Sequence, residues 1–480
     1  MLKVNGGKVL LQGLVMVLVL SLLPVVSNVS PLEYSGSSLE AANDDVKKKK
    51  KKRKRAKLPS KKAQKIFQQI QPLLEAEQWN EATILLAAVQ QGEKFTDTDR
   101  ATMWYYLGYI YFSQEKYDQA IKAYNTLIDT PDADYRQKNN AIYSLSQLSY
   151  LKGDYRSTIK YLYLWLENED EPSSDAYALL ATTYYQLKEF RNAKDNIEIA
   201  ITMQEDRDIP ILDENGEETG ETKKGVAREN HYLLKMAVFQ ELKHKLDVLP
   251  IYEILVQHYP KKRYWVQLSG LYGSRDRQLD QMGALEAAYD DDLLDKEREF
   301  VALAQLLMLH QNPYKAARVM EDGFTRGIIK EKEKTLKAMG QYWHAAKELK
   351  KAKPAYKKAA KLSKEGELYI FLGQVHFGLD EYKEAEFAIR EGLQKGKLKD
   401  TASAHMILGQ ILFENQKWED AIFSFRKCID VAERSLSDKK AKEKKKKKKI
   451  QDSARKWITY TEGEEDRVVA LELKKKALGI

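Results

Sequence analysis

Residues 104–124 read WYYLGYIYFSQEKYDQAIKAY, and this stretch decides the fold. Its large apolar and aromatic residues recur every three or four positions, which is the period of one face of an α-helix. Two small residues, Gly108 and Ala120, lie twelve positions apart. A small residue on each of two neighbouring helices lets their backbones approach closely, while large residues fill the seam between them. The stretch therefore predicts two packed helices joined by a short turn.

The pattern around Gly108 recurs along the chain. We number each unit so that the small residue of its first helix is at position eight. Nine such residues follow one another at intervals of 32 to 38 residues, with one longer interval of 56: Gly108, Ser146, Ala181, Ala237, Ser269, Ala304, Gly340, Gly373 and Gly409. The matching residues at position twenty are Ala120, Thr158, Ala193, Leu249, Met282, Ala316, Ala352, Ala385 and Ala421. Because Leu249 and Met282 are large, and Met282 requires a one-residue insertion, the fourth and fifth units are the least regular.

The spacing W-x2-L-G-x2-Y followed by A-x3-Y in Trp104–Tyr124 resembles the tetratricopeptide repeat, a unit of about 34 residues. The resemblance covers residues 63–431 and includes an irregular additional unit around Trp79 and Ala82. It implies an all-α fold, a right-handed superhelical solenoid of about nine to ten helix pairs in which each pair contacts only its neighbours.

The N-terminus has the layout of an export signal. Lys3 and Lys8 precede an apolar stretch from Val9 to Val26, so residues 1–27 are expected to be a cleaved signal peptide or an N-terminal anchor. Export would place the body of the protein in the periplasm. Basic residues close to a membrane segment favour the cytoplasmic side, and Lys47–Arg55 therefore keeps open a cytoplasmic body with an N-terminal anchor.

The composition of the rest of the chain indicates where its segments begin and end. The segment after the export signal is polar and basic, as in a disordered linker. The long interval between repeats holds an acidic, glycine-rich insertion, and its Asn215-Gly216 pair predicts the turn of a small hairpin. The expected order is a basic linker at 28–62, an N-terminal array at 63–201, an acidic loop insertion at 202–226, a C-terminal array at 227–431, and a lysine-rich linker with a capping helix at 432–480.

The formal net charge of +9 comes from one segment. Lys47–Arg55 holds nine basic residues and no acid, so the remainder of the chain sums to zero. A neutral body gives no support to nucleic-acid binding. The segment is expected either to stay solvated or to make weak contact with anionic lipid headgroups.

The family resemblance also implies where a partner would bind. In tetratricopeptide proteins the first helix of each pair lines a concave groove, at about positions two, five, nine and twelve. Position nine here carries the glutamines Gln147, Gln305, Gln341, Gln374 and Gln410. Position twelve carries Phe112, Tyr150, Tyr185, Met308, His344, Phe377 and Phe413. Further rings at positions five and nine of the first two units are Tyr105, Tyr109 and Tyr143.

These two ladders suggest a ligand. A glutamine amide both donates and accepts hydrogen bonds, so a repeated glutamine can follow the backbone of an extended polypeptide. Aromatic side chains beside it supply contact area. The simpler explanation is that glutamine is a good helix former on a solvated face. We expect a scaffold that binds an extended polypeptide segment in its groove.

The sequence contains none of the common catalytic motifs: no phosphate loop, GxGxxG, HExxH or GxSxG. The seven histidines are scattered, and His376 and His405 fall at packing positions where aromatic residues are usual. The single cysteine, Cys428, excludes an internal disulfide and is expected to be a small core residue. No catalytic residue, metal site, cofactor or small-molecule substrate is expected.

The order of segments indicates a particular group of tetratricopeptide proteins. An export signal, a basic linker, nine repeats with an insertion, and a terminal helix containing Trp457 resemble the periplasmic tetratricopeptide proteins that accompany TonB-type energy-transducing complexes. The resemblance implies a part in TonB-dependent uptake, through contact with TonB or its motor subunits. Two alternatives stay open: a general envelope-assembly scaffold for secretion, pili or cell-wall enzymes, and a cytoplasmic chaperone or enzyme adaptor.

Overall fold

The computed structural model describes residues 57–243, 248–434 and 441–478. The expected export signal and Lys47–Arg55 lie outside this part of the chain. The protein divides into two compact units, Met1–Tyr259 and Pro260–Ile480. This boundary falls inside the range expected for the C-terminal array, and not at the insertion.

The described part of the first unit forms ten helices, which pack as five consecutive pairs. They are α1 (Lys61–Glu75), α2 (Trp79–Gln91), α3 (Asp97–Ser113), α4 (Tyr117–Asp129), α5 (Tyr135–Leu151), α6 (Tyr155–Asn168), α7 (Ser174–Gln186), α8 (Phe190–Glu205), α9 (Glu229–Glu241) and α10 (Val248–His258).

The described part of the second unit forms eleven helices, five pairs and a closing helix. They are α11 (Lys262–Gly273), α12 (Gln278–Asp290), α13 (Glu297–Leu309), α14 (Pro313–Thr325), α15 (Glu333–Ala345), α16 (Leu349–Leu362), α17 (Glu367–Phe377), α18 (Tyr382–Lys395), α19 (Thr401–Glu414), α20 (Trp418–Arg434) and α21 (Ala441–Leu478). The described residues thus contain ten helix pairs, which confirms the expected array of about nine to ten.

The small residue at position eight sets the distance between the two helices of a pair. At Gly409, an added Cβ atom would overlap the ring of Phe425, which is fully buried sixteen residues later. The same overlap would occur in three other units, between Gly108 and Tyr124, Gly340 and Tyr356, and Gly373 and Ile389. A large residue at position twenty-four therefore lies directly against the backbone of the first helix, because nothing larger than hydrogen stands in its way.

The fifth unit is more regular than its sequence suggests. Its second helix begins at Gln278, nine residues after Ser269, as in every unit where both positions are described. The expected one-residue insertion is therefore absent, and Gln281 rather than Met282 stands at position twenty. Ser269 Oγ donates to the backbone oxygen of Gln281 at 3.1 Å, so a hydroxyl takes part in this close contact between helices.

The two helices of most pairs are joined by the same turn, in which one residue has left-handed backbone geometry. In the turn between α3 and α4 the Lys116 N–H donates to Tyr111 O at 2.8 Å and the Glu115 N–H to Phe112 O at 3.0 Å, which closes the end of α3. The turn residue is Gly153 in one pair and is not glycine in eight others: Glu77, Glu115, Lys188, Asp276, Gln311, Lys347, Asp380 and Gln416. The helix ends therefore lack the glycine signal by which sequence analysis usually finds them.

The insertion after α8 is a two-stranded antiparallel hairpin, not an irregular loop. Strand β1 (Asp208–Leu212) pairs with strand β2 (Glu218–Lys224). Gly216 has φ +86° and donates its N–H to Asp213 O at 3.1 Å, so the turn lies at the Asn215-Gly216 pair. Nearly all hairpin side chains are exposed.

The lysine run near the C-terminus is helical. Helix α21 begins at Ala441, so Lys444–Lys449 belongs to the closing helix and not to a linker. Lys447 Nζ lies 2.9 Å from Asp400 Oδ1, and Asp400 also caps α19 by accepting from the Ser403 N–H. This part of the run therefore helps to attach α21 to the last pair.

No helix within the described ranges combines the length and the apolar composition needed to cross a membrane.

We expect opposite effects from alanine at two glycines of the second unit. Gly409→Ala should lower the free energy of unfolding by about 1–3 kcal/mol, because the added methyl group overpacks Phe425. Gly283→Ala, in α12, should raise it by about 0.5–1 kcal/mol, because the space around Gly283 is open and alanine favours helix. Urea denaturation of both variants measures the difference; changes of the same sign would contradict the role of position eight.

Candidate functional site

Four glutamines mark one face of the second unit. Gln305, Gln341, Gln374 and Gln410 stand at position nine of α13, α15, α17 and α19, four consecutive first helices. The first two side chains are exposed and the last two are half-buried. None of the four amides has a hydrogen-bond partner within the described residues. We call this set the glutamine row, and its donors and acceptors are free to bind a ligand.

The first unit does not continue the glutamine row. Gln147, on α5, is only 4% exposed and interacts with other groups of the protein. Its amide is therefore part of the protein interior, and the predicted ladder is broken here.

The rings at position twelve are packing residues. Five of them lie against the first residue of the second helix in their own pair and so close the turn between the two helices, whereas the His344 ring packs against Tyr356 at 6.3 Å. The ring centroids are 6.4 Å apart in Phe112–Tyr117, 5.5 Å in Tyr150–Tyr155, 5.5 Å in Tyr185–Phe190, 6.0 Å in Phe377–Tyr382 and 5.1 Å in Phe413–Trp418. Phe112 and Tyr150 are each only 6% exposed, so the prediction that they offer contact area to a ligand is wrong. Tyr185 and Phe377 stay half-exposed.

Phe413 is covered by the closing helix. Its ring lies 5.5 Å from Trp457 and 5.4 Å from Tyr460, both on α21. The last pair was expected to contribute an open aromatic groove residue. Phe413 instead attaches the end of the array, because the apolar surface of a terminal repeat must be covered.

The remaining predicted rings expose part of their surface to a possible ligand. Tyr109 packs against Trp79 at 6.3 Å, and Tyr143 packs against Trp165 at 5.0 Å. Tyr105, Tyr109 and Tyr143 are half-buried, and burial raises the pKa of Tyr105 and of Tyr143, so both phenols are neutral. His344 is also half-buried, and burial lowers its pKa. Tyr105, Tyr109 and Tyr143 in the first unit, and His344 in the second, therefore keep part of their side-chain surface exposed.

The first unit also contains a polar cluster that no sequence motif indicated. Arg228, just after the hairpin, forms a bidentate pair with Asp175 on α7, with contacts of 2.9 and 3.2 Å. His231, on α9, is 1% exposed, and neither ring nitrogen has a hydrogen-bond partner in the described structure. Burial, and then the charge of Arg228, lower the pKa of His231 to about 4. Asp175 and Arg228 are separated by the insertion, so no local pattern connects them.

Cys428 and His376 have structural surroundings. Cys428 is fully buried, and burial raises its pKa to about 11, as expected for a core residue. His376 Nδ1 lies 2.5 Å from Glu381 Oε2, so this histidine joins the end of α17 to the residue before α18 instead of packing as an apolar group. Among the described residues, no group of three or more His, Cys, Asp and Glu side chains is placed to hold a metal ion.

Comparison with known proteins identifies the repeat. The profile of the tetratricopeptide repeat matches residues 73–135, 174–207 and 372–427. The chain therefore contains tetratricopeptide repeats, and its fold is an all-α tetratricopeptide solenoid. A comparison with curated protein sequences gave no match.

Several solved structures are similar at low identity. MamA from Desulfovibrio magneticus RS-1 (residue 41 to the end) is 14% identical, with 37% of this chain and 97% of that chain covered and a TM-score of 0.32. YrrB, described as a TPR protein with an unusual peptide-binding site, is 14% identical, with 37% and 90% covered and a TM-score of 0.32. The APC/C hetero-tetramer Cut9–Hcn1 is 12% identical, with 82% and 96% covered and a TM-score of 0.29.

The buried His231 predicts a pH-dependent loss of stability. Its folded-state pKa of about 4 lies below the ordinary 6.5, so between these values the unfolded chain binds a proton that the folded chain does not. The free energy of unfolding keeps its full contribution from the neutral His231 above pH 6.5. It falls by on the order of 3 kcal/mol as the pH decreases toward 4. Urea denaturation at pH 7 and pH 4.5 should show the loss in the wild type and a smaller loss in His231→Leu. The exposed His258→Gln serves as control and should behave as wild type; an undiminished loss in His231→Leu would refute the assignment.

Proposed function

We propose that this protein is a non-catalytic scaffold whose second unit binds an extended polypeptide along the glutamine row. The observation that carries the proposal is the set of free amides at one position of four consecutive first helices. The tetratricopeptide repeats support the same conclusion, because proteins built from them are in general scaffolds without catalytic activity.

The spacing of the row suits an extended chain. The four glutamines stand on successive first helices, one in each helix pair, so a chain laid across these helices would meet them in order. Because each amide can donate to a C=O and accept from an N–H, the row matches backbone groups and tolerates different ligand side chains.

The neighbours of the row suggest the ligand's composition. Leu309, on the turn of α13 after Gln305, is 60% exposed and would contact an apolar ligand side chain. At position two of α13 and α15, Arg298 and Lys334 are exposed and carry positive charge. We therefore expect a ligand with apolar residues and with an acidic residue at the end that reaches α13 and α15.

Alanine at three positions of the row tests the proposal. Gln305→Ala, Gln341→Ala and Gln374→Ala together should preserve the fold, since alanine favours helix and none of the three amides is bonded within the protein. The probe is the tightest 15-residue peptide selected from a phage-displayed library on the full chain. We expect at least tenfold weaker binding in fluorescence anisotropy, because each net hydrogen bond contributes about 1 kcal/mol.

The matched control replaces two exposed glutamines on second helices. Gln278→Ala with Gln394→Ala, on α12 and α18, should leave peptide affinity unchanged. Equal affinity in the triple variant and the wild type would overturn the proposal, as would an equal loss in the control. Failure to select any peptide would also count against it.

We propose that the scaffold works in the bacterial cell envelope after export by residues 1–27. Lys3, Lys8 and the apolar stretch that follows them support export. The order of segments favours a role beside a TonB-type complex, with contact to TonB or its motor subunits, over a general envelope-assembly scaffold or a cytoplasmic adaptor. Lys47–Arg55 would add weak contact with anionic lipid, at about 1 kcal/mol per basic residue near the surface.

Fusions to the C-terminus of the full chain test the compartment. Alkaline phosphatase, which needs the periplasm for its disulfides, should be active when fused to the full chain and inactive when residues 2–27 are removed. An inactive fusion of the full chain, together with an active β-galactosidase fusion, would favour the cytoplasmic adaptor. Normal growth of a deletion strain on an iron complex that requires TonB would argue for the general envelope scaffold.

A further inference from the structure

Helices α16, α17 and α18 line an open groove with a volume of about 430 Å³. This volume lies within the range of about 300–1,000 Å³ that is usual for ligand-binding pockets. No residue of the glutamine row lines the groove. We call it the basic groove, and the residues that give it its character are Lys357, Lys361, Tyr369, Leu372, Lys383 and Phe387.

The spacing of these residues places them on one face of each helix. Lys357 and Lys361 lie four residues apart on α16, as Lys383 and Phe387 do on α18. The two residues from α17 lie three apart. Residues three or four apart are neighbours on the surface of a helix, so the lysines and the apolar side chains border the same space.

The lysines of the basic groove have no partner in the described structure. Helix α16 contains six lysines and no acid, and two of its other lysines form ion pairs with glutamates. Lys357, Lys361 and Lys383 are exposed and make neither an ion pair nor a hydrogen bond within the described residues. Glu384 also lines the groove, so three unpaired lysines stand beside one acid. The groove therefore favours an anionic ligand.

The basic groove also offers apolar surface. The side chain of Phe387 is 65% exposed, and Tyr369 is half-buried beside the buried Leu372. Covering an exposed aromatic ring is favourable because it removes apolar surface from water. A ligand that fits the groove thus combines an apolar group with negative charge on either side of it.

We propose that the basic groove binds an acidic polypeptide segment in which a large apolar residue is flanked by aspartates or glutamates. The apolar residue packs on Phe387, and the carboxylates pair with the lysines of α16 and α18. The site is separate from the glutamine row, because its residues lie on two second helices and at positions four and seven of α17.

The charges of α18 favour a polypeptide over a lipid surface. This helix carries three acids and three bases, so the excess of positive charge is confined to α16 and Lys383. A flat anionic membrane in contact with Phe387 would also approach Glu384 and Glu391, three and four residues away on the same helix. A single peptide can instead place its carboxylates at the lysines alone.

Removal of charge on α16 tests the lysine contacts. The probe is the fluorescein-labelled peptide GEEDFLDEEG, measured by fluorescence anisotropy with the full chain at low salt, and GSSSFLSSSG is the uncharged reference. Lys357→Gln with Lys361→Gln should weaken binding of the acidic probe at least fivefold. Lys122→Gln with Lys160→Gln removes the same charge from exposed positions of α4 and α6 and should leave the affinity unchanged.

A second pair of variants tests the apolar contact. Phe387→Ala changes an exposed side chain, so it should leave the circular dichroism spectrum unchanged and weaken binding of the acidic probe at least fivefold. Phe423→Ala is the control, because Phe423 is 61% exposed at the same repeat position of α20, outside the groove. It should bind the probe as the wild type does.

The glutamine triple variant Gln305→Ala, Gln341→Ala and Gln374→Ala should also bind this probe normally, so failure of the glutamine row would not affect the test. A wild type that does not bind the acidic probe, or binds the uncharged reference equally well, would overturn the proposal. So would equal losses in a groove variant and its control. Sedimentation with phosphatidylcholine–phosphatidylserine vesicles that is lost with Lys357→Gln and Lys361→Gln, in a chain that does not bind the peptide, would identify a membrane site instead.

Discussion

The contact between positions eight and twenty-four is the constraint on which the array depends. A glycine or another small residue in the first helix lets a large side chain from the second helix lie directly on its backbone, as Phe425 does at Gly409. This contact brings the two helices together, and the turn residues then have little freedom in where they place the second helix. The pairs keep this geometry although their loops, caps and outer faces differ.

The same constraint explains why the glutamine row exists. Position eight must face the partner helix, and each following residue is rotated by about 100° around the axis. Position nine is therefore carried away from the closest contact, whereas position twelve lies one turn further on and packs against the start of the second helix. A free amide at position nine, as at Gln341, is compatible with the fold. An aromatic residue at position twelve, as at Phe112, packs within its own helix pair and so offers little of its surface to a ligand.

The end of the array poses a separate problem, because a terminal pair has no neighbour to cover it. Helix α21 covers the last pair. It makes aromatic contacts to Phe413 and Phe425 and forms the ion pair between Lys447 and Asp400. Burial raises the pKa of Asp400, but the hydrogen bonds from Lys447 and Ser403 outweigh it and hold that pKa below its usual range. Part of the lysine run thus has a structural role at this end of the array.

The sequence by itself determined the helix pairs, the hairpin turn at Asn215-Gly216 and the burial of Cys428. These features follow from local periodicity, residue size and turn chemistry. Only the tertiary structure decided that Gln147 is buried, that Phe413 is covered by Trp457, and that Asp175, Arg228 and His231 come together. It also decided that the fifth unit has no insertion and that the lysine run is helical. The physical reason is that burial and ion pairing depend on residues far apart in the chain, whose positions the repeat period alone does not specify.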